Sequence, residues 1–333
     1  WEEKASLWRD AKQQAEIEKR KWPYNFVASK NYAIRRGCVT GKLTVSDEGI
    51  SQPARHAFVI LARPGSAGSW QIETKGYQFW NKTNESGLFT IDKVIPGEYN
   101  LYAYVPGYIG DYKYGTVLSI KPSRKSNLGE IVYNPPRNGP TLWEIGTPDR
   151  SSAEFFVPEA NPHYINKLYI KHERYRQYGL WERYTELYPD KDLVFTVGSS
   201  ESSRDWYYAQ VTRGIGNNTY EGTTWQVNFY LGRVYGRGKY CLRVALATAN
   251  AAELQIRVND PTTGRPLYST GEIGRDNTIA RHGVHGLYRL YTVGVPGTLL
   301  TVGMNAVYLT QTRRVSPFQG VMYDYLRFEG PAF

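Results

Sequence analysis

Residues 2–22 place apolar side chains at the period of a helix. Trp1, Ala5, Trp8, Ala11, Ala15 and Trp22 recur at helical spacing with charged residues between them, which predicts an amphipathic helix. Pro23 ends it. A single helix cannot bury such a stripe against itself, so this one is expected to dock on neighbouring protein. From Gly37 the period changes to two: Val39, Gly41, Leu43 and Val45 alternate with Thr40, Lys42 and Thr44. Short runs with strand character follow at 57–62, 77–80, 87–94 and 99–105, separated by Gly and Pro. Together they predict about seven strands in about a hundred residues, the spacing of a small β-sandwich.

The turn Pro96-Gly97-Glu98-Tyr99, leading into alternating apolar residues, resembles turns of prealbumin-like and fibronectin type III-like modules. The clearest linker is Asn134-Pro135-Pro136-Arg137-Asn138-Gly139-Pro140, and the domain boundary is placed there. Beyond it, strand candidates at 191–197, 206–211, 224–230, 239–247, 253–258 and 320–329 predict a second all-β domain. Its size and strand count favour a jelly-roll sandwich. The expected organisation is therefore all-β: a helix and linker over 1–35, a fibronectin-like or prealbumin-like β-sandwich over 36–134, and a jelly-roll β-sandwich of carbohydrate-binding type over 140–333. Carbohydrate binding enters here only by fold-level analogy.

Composition adds one strong bias. The 333 residues include 28 Tyr and 9 Trp, residues that suit strands and whose rings also stack on sugars. The net charge of +10 is spread along the chain, with +3 in 1–35, +3 in 36–134 and +4 in the rest. With no basic run and no nucleic-acid-binding motif, a diffuse positive field suits an acidic polysaccharide at least as well as DNA. No nucleic-acid or membrane partner is expected, since no apolar run reaches the length of a span. Cys38 and Cys241 lie in different candidate domains and read as two buried free thiols. No leader is recognisable at Trp1, while the sequons at Asn81, Asn84 and Asn217 are compatible with secretion.

Candidate chemistry concentrates in 276–288, which holds Asp276, Arg281, His282, His285 and Tyr288 among the small residues Ala280, Gly283 and Gly286. A loop that gathers polar side chains beside an aromatic ring fits a hydroxyl-rich or acidic ligand. It also fits a plain polar turn between strands. His282 and His285 lack a nameable third ligand, so no zinc site, and no cofactor, is expected. There is no G-x-S-x-G elbow, and Gly214-Ile215-Gly216 lacks a Walker lysine. The carboxylates Glu173, Glu182, Glu186, Asp190 and Asp192 read as surface charge, not as a glycosidase pair. Trp206, beside Arg204 and Asp205, and Trp181, beside Glu182 and Arg183, have the chemistry of sugar stacking; core packing at a loop mouth is the competing reading.

Several long runs resemble one family. Trp22-Pro23-Tyr24-Asn25-Phe26, Arg36-Gly37-Cys38-Val39-Thr40-Gly41, 177–184, 204–211, 276–288 and 322–327 are similar to the C-terminal portion of a plant rhamnogalacturonan lyase of polysaccharide lyase family 4. The resemblance implies a three-domain secreted parent that cleaves the Rha–GalUA backbone of pectic rhamnogalacturonan I by β-elimination. In that parent a catalytic N-terminal sandwich precedes a fibronectin-like domain and a jelly roll. It implies that this chain holds only the last two and partners the first, so no catalytic residue is assigned. The expected carbohydrate-binding residues are Arg204, Trp206, Arg281, His282, His285 and Tyr288. Two other readings stand beside this one: a free-standing lectin-like protein, and a lyase that uses the histidine loop itself, with a base for the C5 proton and a cation for the uronate.

Overall fold

The helical stripe does form a helix, Glu2–Lys21, with Lys19, Arg20 and Lys21 in its last turn, where cations complement the helix dipole. The structure is a computed structural model, and it describes residues 2–29, 31–158, 179–262, 264–281 and 286–332. The chain divides into two compact units, one of Trp1–Val45, Ser51–Ala103 and Asp111–Tyr133, the other of Ser46–Ile50, Tyr104–Gly110 and Asn134–Phe333.

In the first unit the helix is held at its C-terminal end. The Arg36 guanidinium lies 4.2 Å from the centre of the Trp22 ring, and Lys93 donates to the Lys19 carbonyl at 3.1 Å. Further up, Leu7 and Trp8 are 62% and 63% exposed. The expected docking of the stripe is thus not met within this chain, because nothing among the described residues covers its middle turns. Two sheets follow. Gly37–Asp47 pairs antiparallel with Leu88–Val94, Thr40 opposite Thr90, and parallel with Lys125–Tyr133, Thr40 opposite Asn127. The other sheet runs Phe79–Lys82, Phe58–Ala62, Gly97–Tyr104, Tyr112–Lys113. Alternation buries Val39, Leu43 and Val45 from the first sheet and Val59, Leu61, Leu101 and Ala103 from the second.

The second unit is built on two larger sheets. One runs Thr141–Gly146, Gly320–Glu329, Lys239–Ala252, Ile273–Arg275, with Arg289–Pro296 also paired to Lys239–Ala252. The other runs Val194–Thr196, Thr223–Leu231, Gly303–Gln311, Leu254–Val258, Tyr268–Ser269. Gly320–Glu329 is buried at every position, as a strand covered on both faces must be. It therefore carries buried polar groups that need partners. Glu329, fully buried, is bound by Arg327 Nε at 2.8 Å and Arg243 Nε at 3.3 Å. It also accepts the Asn138 backbone N–H at 2.8 Å.

Part of the aromatic excess is core. Trp206 meets Trp225 edge-on at 5.1 Å, Tyr323 at 5.3 Å and Phe195 at 5.5 Å, a geometry that adds to area burial. The strand expected over 206–211 is reduced to its last two residues. Trp206, Tyr207, Tyr208 and Ala209 are all buried in succession, and only Gln210–Val211 is strand. The two cysteines are free, but only Cys241 is buried; Cys38 is partly exposed. Burial pushes the Cys241 thiol up to about 11.

Candidate functional site

The 276–288 segment is tied to the sandwich at both ends. Asp276 Oδ1 accepts the Thr278 backbone N–H at 2.9 Å and the Thr248 hydroxyl at 2.8 Å, an Asx turn that starts the 3₁₀ turn Thr278–Arg281. Ile279 and Ala280 are buried in the second unit's core. At the far end, a Cβ on Gly286 would lie 2.2 Å from the Ala247 carbonyl oxygen, so only glycine fits there. The backbone of Arg281 closes the 3₁₀ turn; His282 and His285 lie outside the described residues, and so does the Arg281 side chain.

Tyr288 is placed differently from expectation. It is 7% exposed, its hydroxyl accepts the Gly110 N–H at 3.1 Å, and the Arg150 guanidinium covers its ring at 4.2 Å. A ring with one face covered by a guanidinium and so little exposure has no free surface for a sugar. It serves as an anchor for the loop. Trp206 is corrected in the same way: with 0% exposure it belongs to the core. Its neighbour Arg204 is on the surface, 62% exposed, with Nε and one terminal nitrogen both on the Asp205 carboxylate at 2.9 and 2.8 Å. That pairing holds the Asp205 carboxyl below its ordinary value, and a uronate would have to compete with it. Trp181 is also core, 4% exposed.

The carboxylate run also differs in part from the surface charge expected. Asp192 accepts the Tyr184 hydroxyl at 2.8 Å and the Thr224 N–H at 2.5 Å, and Arg213 pairs with both Asp192 and Glu221. This network stiffens one wall of a shallow pocket of about 200 Å³ lined by Glu182, Thr185, Thr212, Gly214, Tyr220 and Pro317. Thr185 Oγ1 accepts the Gly214 N–H at 2.9 Å and Thr212 Oγ1 donates to the Ser316 carbonyl at 2.9 Å. At the rim, Glu182 is exposed. Hydroxyls, a carboxylate and one tyrosine ring are groups that can hold a sugar. Sequence reasoning flagged Glu182 but missed Thr185, Thr212 and Tyr220, which come together only through pairing of Arg213–Gly216 with Thr219–Glu221.

Comparison with known proteins accounts for both units. Residues 54–128 match polysaccharide lyase family 4, domain II, and residues 141–328 match a carbohydrate-binding-module-like region described as polysaccharide lyase family 4, domain III. The rhamnogalacturonate lyase of Dickeya dadantii (strain 3937) is 30% identical over 307 residues, covering 90% of this chain and 46% of that protein. Rhamnogalacturonate lyase B of Emericella nidulans is 26% identical over 286 residues, covering 76% of this chain and 42% of its own length. The chain thus spans somewhat less than half the length of these curated relatives. Among solved structures, a family 35 carbohydrate binding module from an environmental isolate matches 43% of this chain and 88% of the module, at 14% identity and a TM-score of 0.23, too low to argue from.

Proposed function

The chain belongs to polysaccharide lyase family 4, of which it carries domains II and III, and from this we propose that it is the non-catalytic, carbohydrate-binding part of a secreted rhamnogalacturonan lyase. Its ligand is pectic rhamnogalacturonan I, and its partner is a catalytic domain of the same parent that performs the β-elimination. The observation that carries the reading is the ordered match of both domains within relatives named as rhamnogalacturonate lyases. The spread positive charge of +10 supports it, because it draws a polyuronate without selecting a base sequence. The long runs at 177–184 and 204–211 support a plant parent acting in the cell wall.

Within the second domain, residues 140–333, the loop 276–288 is the proposed ligand face. Arg281 meets a uronate carboxylate through paired hydrogen bonds, and His282 and His285 donate to hydroxyls, while Tyr288 anchors the loop. The test is affinity electrophoresis in gels containing rhamnogalacturonan I, run beside an assay for unsaturated uronate product. Retarded migration with no product supports the reading. Product formed by the chain alone, at the rate of a whole lyase, would show that the histidine loop is itself catalytic. Unretarded migration would remove the binding role.

A further inference from the structure

The five-stranded sheet of the second unit turns an unusual face outward. Its inward positions Trp225, Val227, Phe229, Leu254, Ile256, Val307 and Leu309 are 0 or 1% exposed, so strand alternation sends their neighbours outward. Register sets those neighbours in rows. Val194 lies opposite Gln226, Gln226 opposite Tyr308, and Tyr308 opposite Arg257. In the next row Thr224 lies opposite Thr310, and Thr310 opposite Gln255. At the standard separation of about 4.8 Å between strands, the first row spans about 14 Å, and the rows are about 7 Å apart. Tyr230, 66% exposed, and Met304, 58% exposed, pair at one end of the sheet and form an apolar ledge.

Arg257 is the informative member. Its terminal nitrogen donates to Gln255 Oε1 at 3.1 Å, while its Nε is out of water with no hydrogen-bond acceptor. No carboxylate pairs with it among the described residues. Its partly exposed guanidinium is the cation of these two rows, while Glu253, which accepts from Gln255 Nε2 at 3.2 Å, puts one carboxylate beside them. Beside Arg257, the partly exposed Tyr308 ring offers a stacking surface. Gln226 is ordered by its own bond to Asn228 Oδ1 at 2.6 Å, so its amide is already oriented.

We propose that this sheet face is a second polysaccharide-binding surface, taking an extended chain that carries uronate carboxylates. It rests on the reading above that the protein binds an acidic polysaccharide, and it adds a site apart from the 276–288 loop. A carboxylate meets the terminal N–H donors of Arg257, a neighbouring ring stacks on Tyr308, and hydroxyls meet the amide of Gln226. The chemistry favours this occupant over others. A stable contact between two copies needs an apolar centre, and here only Val194 is apolar within the two rows. A nucleic acid needs several cations along its phosphates, and the face has one.

The test is titration calorimetry of the 333-residue chain with rhamnogalacturonan I oligosaccharides and with the same oligosaccharides after carboxyl reduction. Wild type is compared with Arg257→Gln, Tyr308→Leu and Arg281→Ala, each checked for unchanged melting and for size in solution. Both Gln and Leu keep the packing of the stems, so the variants stay folded. The expected result is affinity lowered roughly tenfold by Arg257→Gln, the usual scale for a charged hydrogen bond. Tyr308→Leu is expected to weaken both ligands, while Arg257→Gln narrows the difference between the acidic and the reduced ligand, and Arg281→Ala removes the part that the loop contributes. If wild type binds and both sheet variants bind equally well, the sheet proposal is overturned while the loop reading stands. If wild type binds neither ligand, the binding reading itself fails and takes this proposal with it. A wild-type dimer that Tyr308→Leu dissociates would also overturn it, by showing a contact between copies.

Discussion

Asp324 accepts the backbone N–H of Arg150 at 2.6 Å while fully buried. The same Oδ1 takes the Asp149 N–H at 3.0 Å, and Oδ2 has no partner. Burial pushes this carboxyl up to about 8, and it pushes the nearby Glu154 up to about 7. Both native values lie above those of the unfolded chain, near 4 on the usual scale for carboxyls, roughly. The native state therefore holds these protons longer. Their contribution to stability is complete below about pH 4 and is lost as pH rises through about 7 and about 8. Asp324→Asn keeps an acceptor for Arg150 and removes the charge. Thermal melts from about pH 5 to about pH 9 should show the variant gaining on wild type as pH rises. A constant difference across that range would contradict the assignment.

Glu329 organises a second buried polar centre. Removing it leaves Arg243 and Arg327, 7% and 4% exposed, without their carboxylate, and leaves the Asn138 N–H without its acceptor. Breaking a buried ion pair from one side costs about 3–5 kcal/mol. Glu329→Ala should therefore lower the unfolding free energy by that amount, measured by urea titration. A cost below about 1 kcal/mol would mean that solvent reaches the two guanidinium groups.

Trp206 separates core from ligand face. Trp206→Ala should cost about 3–5 kcal/mol in stability, as large aromatic truncations in a core do. Trp206→Phe should cost less, since the indole N–H it removes has no hydrogen-bond acceptor. In both variants, binding of rhamnogalacturonan by the folded fraction is expected to equal that of wild type. Lost affinity in a fully folded Trp206→Phe protein would return the ring to the ligand surface.

Arg281→Ala examines the loop. Weakening of rhamnogalacturonan binding by about 1–3 kcal/mol is expected, shrinking as salt screens an exposed pair. A lower melting temperature with unchanged affinity would make Arg281 a structural tie instead.

Local patterning carried much of the fold. The helix shows in its tryptophan and alanine spacing, and Gly37–Asp47 and Thr223–Leu231 show in strict alternation. Gly303–Gln311 did not, because its inward positions include Asn305 and Gln311, which are buried yet polar. Asn305 is satisfied by Thr301 and Gly303, partners that sequence does not reveal. Arg289–Pro296 is hidden by Gly294 and Pro296, which read as a turn. Among site residues, Arg204 looked alike on paper to Trp206, two positions on. One ends a short surface turn and the other starts a buried run. Adjacency to charge could not tell a sugar-stacking tryptophan from a core one, since both keep polar neighbours at a loop mouth. The outward rows of the five-stranded sheet are assembled from strands far apart in the chain, so no single segment displays them.

The central claim is that this chain binds an acidic pectic polysaccharide without cleaving it. The most direct measurement is calorimetric titration of the 333-residue chain with rhamnogalacturonan I oligosaccharides at low and at moderate salt, with the mixture then assayed for unsaturated uronate. The account predicts saturable binding that weakens as salt rises, and oligosaccharides recovered intact. Absence of binding heat at low salt, or accumulation of unsaturated product, would contradict it.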